Sequence, residues 1–131
     1  MPKPTLYKFS DFEHRFQELP PGKSYIRSHI GPHNSESMMG GWNFFNNVKV
    51  PWSLTCDEII YVHKGTFRMV VDGESYVCEP GDVLWLPKGM DISYESDEKC
   101  VIFFAVWPVD WKQRDGVTYV PGVDTDDVPH R

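Results

Sequence analysis

A chain of 131 residues, 40% of them hydrophobic and 24% charged, is long enough to form one domain with a buried core. A net charge of −6 without a basic stripe argues against nucleic acid as a partner, and no apolar run is long enough to span a membrane. Aromatic residues make up 15% of the chain and 11 Pro and 10 Gly accompany them, which favours a turn-rich β fold over a helical bundle.

Residues 1–22 are expected to form a lead-in that contains one short helix. Ser10 is a favourable N-cap, acidic residues follow it in the first turn, and Pro20-Pro21-Gly22 ends the pattern. Apolar residues recur within it at helical spacing, namely Phe12, Phe16 and Leu19.

Residues 23–112 carry the signals of strands separated by turns. Short stretches alternate between apolar and polar residues or are rich in β-branched and aromatic side chains. Asp72-Gly73 suits the positive φ of a type I′ hairpin turn, and a second turn is expected at Glu79-Pro80-Gly81-Asp82. Many short strands with little helix predict an all-β sandwich or barrel. Residues 113–131 are polar and are expected to form an extended tail.

The cysteines and the N-terminus indicate the compartment. Cys56, Cys78 and Cys100 are odd in number and include no C-x-x-C pair, which fits free thiols in a reducing cytosol better than a disulfide framework. One disulfide with one free thiol stays open as an alternative. The N-terminus lacks the apolar core of a signal peptide. The sequence therefore predicts a cytoplasmic protein.

Two segments carry the most specific pattern in the chain. They are Asp57-Glu-Ile-Ile-Tyr-Val-His-Lys-Gly65 and Gly81-Asp-Val-Leu-Trp-Leu-Pro-Lys-Gly89. With Val71-Asp-Gly73 and the ending Pro108-Val-Asp-Trp111, they make the chain resemble a small cupin, and more narrowly the EutQ-type cupins of ethanolamine utilisation. The match covers roughly residues 36–112. The resemblance implies a cupin-type double-stranded β-helix, or jelly-roll barrel, with a cavity between two sheets and a homodimer paired through its sheets.

The same resemblance describes a metal site with most of its ligands missing. In a metal-binding cupin the first segment carries two histidines and a carboxylate, and the second carries a third histidine. Here these positions fall on Trp52, Leu54, Glu58 and Ile92. A transition metal takes three or four N, O or S ligands, and only Glu58 supplies one. We therefore expect no metal and no other cofactor, unless residues outside the motif contribute ligands.

Glu58 is the centre of the expected site. Side chains alternate along a strand, so if Glu58 faces inward, Ile60 and Val62 do so too and His63 faces outward. A carboxylate in an apolar cavity needs a hydrogen-bond donor or has a raised pKa. The same alternation directs the Tyr94 hydroxyl inward, so Tyr94 is a plausible donor. One interpretation makes Glu58 and Tyr94 a catalytic acid/base pair or a ligand anchor. The other is a relic carboxylate held by hydrogen bonds.

Aromatic and apolar residues are expected to line the cavity as a ligand-binding wall for a small apolar or ring-shaped molecule. Plain core packing is the alternative for most of them. His29 and His33 are expected at the surface, because Gly31-Pro32 breaks the strand between them. The wall residues are Trp42, Phe44, Trp52, Leu54, Met90 and Ile92.

The sequence favours a EutQ-like cupin that binds a small metabolite in an apolar cavity around Glu58 without the usual cupin metal. Two alternatives stay open. One is a small-molecule enzyme of ethanolamine or acetate metabolism that uses Glu58 as acid or base; the other is a structural or assembly cupin. Acetate kinase activity is attributed to EutQ proteins, but phosphoryl transfer needs cations around the phosphates, and the expected cavity offers a single acid.

Overall fold

The computed structural model describes residues 2–111, so the expected tail at 113–131 lies outside the described residues. A 3-10 turn at Phe9–Asp11 and helix α1, Glu13–Glu18, precede seven strands. The predicted all-β architecture with a short N-terminal helix is confirmed. No helix among residues 2–111 is long and apolar enough to cross a bilayer. The strands are β1 Lys23–Ile30, β2 Met39–Ser53, β3 Asp57–Lys64, β4 Phe67–Val71, β5 Glu74–Cys78, β6 Val83–Leu86 and β7 Asp91–Trp107.

The N-terminal helix begins later than the sequence predicts. The N-cap of α1 is Phe12, with no side-chain hydrogen bond at the cap, whereas Ser10 lies within the preceding 3-10 turn. The expectation that Ser10 caps the helix is therefore wrong. Packing of Phe12 accounts for this boundary. Its ring lies edge-on to that of His29, with 4.8 Å between the ring centroids, and the Arg27 guanidinium lies over it.

Two long strands organise the barrel. β2 and β7 pair antiparallel from Met39 opposite Val106 to Ser53 opposite Asp91. The C-terminal half of β7 also pairs with β3, which in turn pairs with β6, and its N-terminal half pairs with β4. β1 pairs with β2, and β5 with β4. Buried residues from both halves of β7 belong to one apolar cluster, so the strands close around a single interior.

An irregularity in β2 changes which of its side chains face that interior. The pairing with β7 shifts register between Asn46 and Val48, and Asn47 between them has a φ of 54°. Phe45 before the shift lies inside, and so does Val48 after it. The inward-facing positions therefore change from odd to even numbers, as expected when one strand carries an extra residue.

Apolar side chains form two clusters on opposite faces of the sheet. The interior cluster fills the barrel, with Phe45, Ile60 and Phe67 fully buried. The outer cluster has Tyr25, Phe44 and Val101 at its centre. The N-terminal segment, residues 2–22, covers it together with β2. The covering residues are Phe9, Phe12, Phe16, Leu19 and Trp42.

Polar contacts fasten the N-terminal segment onto this outer cluster. Lys64 Nζ on β3 forms an ion pair with Glu13 Oε1 at 2.7 Å, and Lys99 on β7 donates to the carbonyl oxygen of Gln17. The Asn46 amide also donates to the Leu19 carbonyl oxygen at 2.8 Å. The N-terminal segment is therefore packed against the barrel from Tyr7 to Leu19.

The three cysteines are free and buried, which confirms the prediction of free thiols. Burial raises the pKa of Cys78, and it raises the pKa of Cys100 to about 12. A thiol is nucleophilic only as the thiolate, so these two side chains have packing roles.

Candidate functional site

Glu58 enters the barrel interior near the start of β3. It lies opposite Leu86 of β6 and Val106 of β7, and its residue is only 6% exposed. Ile60 and Val62 follow it into the interior cluster, while the residues between them face outward. The predicted alternation along this strand is confirmed.

Tyr94 reaches Glu58 from the other half of the barrel. Its hydroxyl donates a hydrogen bond to Glu58 Oε1 at 2.7 Å. Tyr94 pairs with Val50 of β2 and Met69 of β4, and its ring centroid lies 6.3 Å from that of Phe67. The expected contact between the carboxyl and the tyrosine hydroxyl is therefore present, and it joins the two halves of the interior.

The two groups have strongly shifted proton affinities. Burial raises the pKa of Glu58 from an ordinary 4.5 to about 7, although the hydrogen bond from Tyr94 opposes the shift. Burial also raises the pKa of Tyr94 well above 10, with further contributions from Glu58 and then Cys56. Near neutral pH the carboxyl can therefore take up or release a proton, while the phenol remains a donor.

Apolar side chains occupy the positions where a metal-binding cupin has its histidines. Leu54 and Ile92 are buried in the interior cluster, and Trp52 and Met90 are half-buried against it. The Leu54 amide donates to the Met90 carbonyl oxygen at 2.8 Å, which holds the two segments together. The donor set does not fit a metal, and no group of three or more His, Cys, Asp and Glu within residues 2–111 could hold one.

Trp42 and Phe44 lie elsewhere, so the expectation that they line the same cavity as Glu58 is wrong. Both belong to the outer cluster, where Phe44 is fully buried and the Trp42 ring lies 5.2 Å from that of Phe103. The register shift at Asn47 is the physical reason. Counting in twos back from Trp52 reaches Trp42 and Phe44, but the shift turns those positions to the opposite face.

Trp111 packs beside the candidate site, which sequence reasoning missed. It is buried in the interior cluster beyond the end of β7, and its ring lies 6.1 Å from that of Trp52 in an edge-on arrangement. The Pro108-Val-Asp-Trp111 ending of the family pattern was the available signal. It identified the family but did not indicate that this tryptophan returns to the interior.

His29 is buried, which overturns the expectation of a surface histidine, whereas His33 is exposed as expected. The imidazole stacks on the Tyr7 ring at 4.4 Å, and neither ring nitrogen has a hydrogen-bond partner within residues 2–111. Burial, and then the Arg27 charge, lower its pKa from 6.5 to about 4. The N-terminal segment makes the difference, because it covers this part of β1.

One face of the barrel exposes large apolar side chains. On β3 and β6 they stand opposite each other, Ile59 against Trp85 and Tyr61 against Val83, and Trp107 of β7 lies beside them. We call this set the β3–β6 face. All five side chains are exposed within residues 2–111. A contiguous apolar patch of this kind is typical of an interaction surface.

A family model described as "Ethanolamine utilisation protein EutQ" matches residues 9–113. The acetate kinase EutQ of Salmonella typhimurium is 28% identical over 98 residues, which are 75% of this chain and 43% of that protein. The acetate kinase EutQ of Escherichia coli is 29% identical over 79 residues, 60% of this chain and 34% of that protein. The chain therefore spans less than half the length of these curated relatives.

Solved structures share the fold. The Clostridium difficile EutQ protein has a TM-score of 0.65 at 24% identity, covering 70% of this chain and 66% of that one. A putative ethanolamine utilization protein from Salmonella typhimurium has a TM-score of 0.63 at 27% identity, covering 66% and 70%. A cupin 2 conserved barrel domain protein from Salinispora arenicola, at 19% identity and a TM-score of 0.57, covers 73% and 85%. The architecture is that of a cupin barrel.

Proposed function

Because the chain belongs to the family of the ethanolamine utilisation protein EutQ, we propose that it binds a small metabolite in the barrel interior around Glu58, without the usual cupin metal. The observation that carries the proposal is the Glu58–Tyr94 pair, a buried carboxyl with one side-chain donor in apolar surroundings. Small-molecule sites are mostly apolar with a few placed polar groups that orient the ligand, and this pair supplies such groups. Trp52, Leu54, Met90 and Ile92 would contact the rest of the ligand.

An acetate kinase reaction is poorly supported by these side chains. Phosphoryl transfer requires cations around the transferred phosphate. Within residues 2–111, neither the interior cluster nor the set of buried polar side chains contains a Lys or Arg. The curated relatives named for this activity are more than twice as long as the part that this chain matches.

An enzyme of ethanolamine or acetate metabolism is the second candidate, and the pKa of Glu58 favours it. A carboxyl with a pKa of about 7 is suited to transfer protons at neutral pH, and the Tyr94 hydroxyl could orient it. Glu58 and Tyr94 would then be catalytic. A purely structural role is the third candidate, in which the pair only satisfies a buried carboxyl.

A thermal-shift screen of small metabolites separates these candidates. We expect at least one metabolite to raise the melting temperature of the wild type and of Glu98→Gln, an exposed acid on the same strand as Tyr94, but not of Glu58→Gln. Turnover that is lost in a folded Glu58→Gln would establish the enzyme. If no metabolite shifts the melting temperature, the structural role is favoured. A stoichiometric metal found by elemental analysis would contradict the role given to Trp52, Leu54 and Ile92.

We also propose that the protein is a homodimer that pairs through the β3–β6 face. Five exposed apolar side chains on three neighbouring strands support this, and cupins commonly pair through their sheets. Sedimentation equilibrium should give twice the mass of one chain for the wild type and for Val77→Glu, an exposed position on β5. It should give a single-chain mass for Trp85→Glu. A wild-type monomer would contradict the dimer.

A cytoplasmic location completes the proposal. The three free, buried thiols support it, because extracellular compartments favour disulfides. Localisation of a tagged full-length chain by cell fractionation tests it, and recovery outside the cytoplasm would contradict it.

A further inference from the structure

The charges of the barrel interior restrict the kind of ligand it can accept. Among the buried residues within 2–111, Glu58 is the only acid, and the only buried base is His29. His29 stacks on Tyr7 and meets the edge of Phe12, both in the N-terminal segment on the opposite side of the sheet. No cationic side chain of residues 2–111 therefore faces Glu58, so a carboxylate or phosphate entering this interior would meet an acid and no positive partner from this part of the chain.

The hydrogen bonds of Glu58 leave room for a donor. Oε1 accepts the Tyr94 hydroxyl at 2.7 Å, and within residues 2–111 no side chain or backbone group donates to Oε2. An ionised carboxylate has about four acceptor positions, so one bond leaves most of its capacity unused. A ligand that carries positive charge and donates a hydrogen bond to Oε2 would offset the cost of ionising a buried acid.

The surroundings of Glu58 fit a carbon chain or an aromatic-bound cation. Leu54, Met90 and Ile92 provide aliphatic contact, and they lie in or against the same interior cluster as Glu58's neighbours Leu86 and Val106. The half-buried Trp52 and the buried Trp111 add indole rings to that cluster. Indole faces attract ammonium groups. We therefore expect the remainder of the ligand to be largely apolar.

We propose that the ligand is a small primary ammonium ion on a short carbon chain, whose nitrogen donates to Oε2 of ionised Glu58. This inference rests on the proposed function, because it identifies the chemical class that the same interior binds. Such a site would favour an ammonium ion over a carboxylate, which has no positive partner there, and over a neutral alcohol, which cannot offset the charge of Glu58.

The proposal fixes the sign of the pH dependence of binding. Glu58 must be ionised to pair with the ammonium, and its pKa is about 7. Affinity should therefore rise about tenfold between pH 6 and pH 8. The groups facing Glu58 do not interfere, because β6 and β7 present Leu86 and Val106, and the pKa of Tyr94 stays far above this range. Cys56, near Tyr94, is buried.

Calorimetric titrations with three probes of matched size test the inference: n-propylammonium, 1-propanol and propionate. Each is titrated into the wild type, Glu58→Gln and Glu98→Gln at pH 6, 7 and 8. We expect n-propylammonium to bind the wild type and Glu98→Gln about tenfold more tightly at pH 8 than at pH 6. Its affinity for Glu58→Gln should be at least tenfold lower at pH 8 and independent of pH, and circular dichroism confirms folding.

Each other result has a distinct meaning. Glu58-dependent binding of propionate or 1-propanol, without binding of n-propylammonium, overturns the ammonium inference and leaves the proposed function intact. Equal n-propylammonium binding to the wild type and Glu58→Gln overturns it as well, since the carboxyl is then not the partner. Absence of binding by all three probes overturns the inference, and with a negative metabolite screen it also overturns the proposed function.

Discussion

Glu58 and His29 are both buried ionisable side chains, but they lie on opposite faces of the same sheet and are buried in different ways. Burial drives each towards its neutral form, raising the pKa of the acid to about 7 and lowering that of the base to about 4. Glu58 keeps one strong hydrogen bond to Tyr94. Within residues 2–111 the His29 imidazole has ring contacts with Tyr7 and Phe12 but no hydrogen bond. The interior therefore retains a hydrogen-bonded carboxyl that can exchange a proton near neutral pH, whereas on the outer face the imidazole of His29 packs as an aromatic ring.

The largest expected effect distinguishes the two apolar clusters themselves. Phe44→Ala in the outer cluster and Phe45→Ala in the interior cluster each remove a fully buried ring, so each should cost about 3–5 kcal/mol of unfolding free energy. Only Phe44→Ala should increase hydrogen exchange selectively in α1, because Phe44 lies under the N-terminal segment. Urea unfolding and exchange mass spectrometry measure both effects. Equal exchange in α1 for the two variants would show that the N-terminal segment does not depend on the outer cluster.

The pH dependence of stability should separate Glu58 from His29. The folded pKa of His29 lies below its ordinary value, so its contribution to stability falls as pH decreases from 6.5 to 4. The folded pKa of Glu58 lies above its ordinary value, so its contribution falls as pH increases from 4.5 to 7. Each effect is on the order of 3 kcal/mol, and the two oppose each other between pH 4.5 and 6.5.

Single variants should expose each effect. Urea unfolding of Glu58→Gln should show stability rising with pH between 4 and 6.5, and His29→Phe should show it falling between 4.5 and 7. The wild type should vary less than either over the shared range. If both variants follow the wild-type profile, burial does not shift these two pKa values.

A smaller effect is expected at the contact between the two halves of the interior. Tyr94→Phe removes the hydroxyl that donates to Glu58, which should cost about 1–2 kcal/mol at pH 8 and less at pH 5, where the carboxyl is protonated. The pKa of Glu58 should rise further, because this hydrogen bond lowers it. Urea unfolding at both pH values and an infrared titration of the carboxyl test this. A larger loss of stability at pH 5 than at pH 8 would contradict the view that ionised Glu58 accepts this hydrogen bond.

The smallest effect is expected where the N-terminal segment meets solvent. Glu13→Gln removes the ion pair with Lys64, whose side chains are both more than a third exposed. Salt screens exposed pairs, so the change in melting temperature should be small at low salt and absent in 1 M NaCl. Glu98→Gln serves as the control. A large loss at high salt would assign the contact a structural role beyond its charge.

Most of the barrel could be predicted from local patterns, and the remainder depended on contacts between distant segments. Alternation around Glu58 and the spacing to Tyr94 placed the pair correctly, because β3 from Asp57 to Val62 and the first half of β7 pair without a register shift. The positions of Trp42 and Phe44 were mispredicted, because one irregular residue, Asn47, reverses the alternation. The burial of His29 depends on where the N-terminal segment packs, which no local pattern records.

The pairing of β2 with β7 also has a kinetic consequence. These strands are 15 and 17 residues long, and their partners, such as Phe44 and Val101 or Trp52 and Ile92, are far apart along the chain. Closing the chain segment between them costs conformational entropy before the pairing of the strands can offset it. We therefore expect the barrel to fold over milliseconds to seconds, far more slowly than a helical bundle of similar length. During that interval the strand edges and the side chains of the β3–β6 face would be open to other chains, so refolding yield should fall as protein concentration rises.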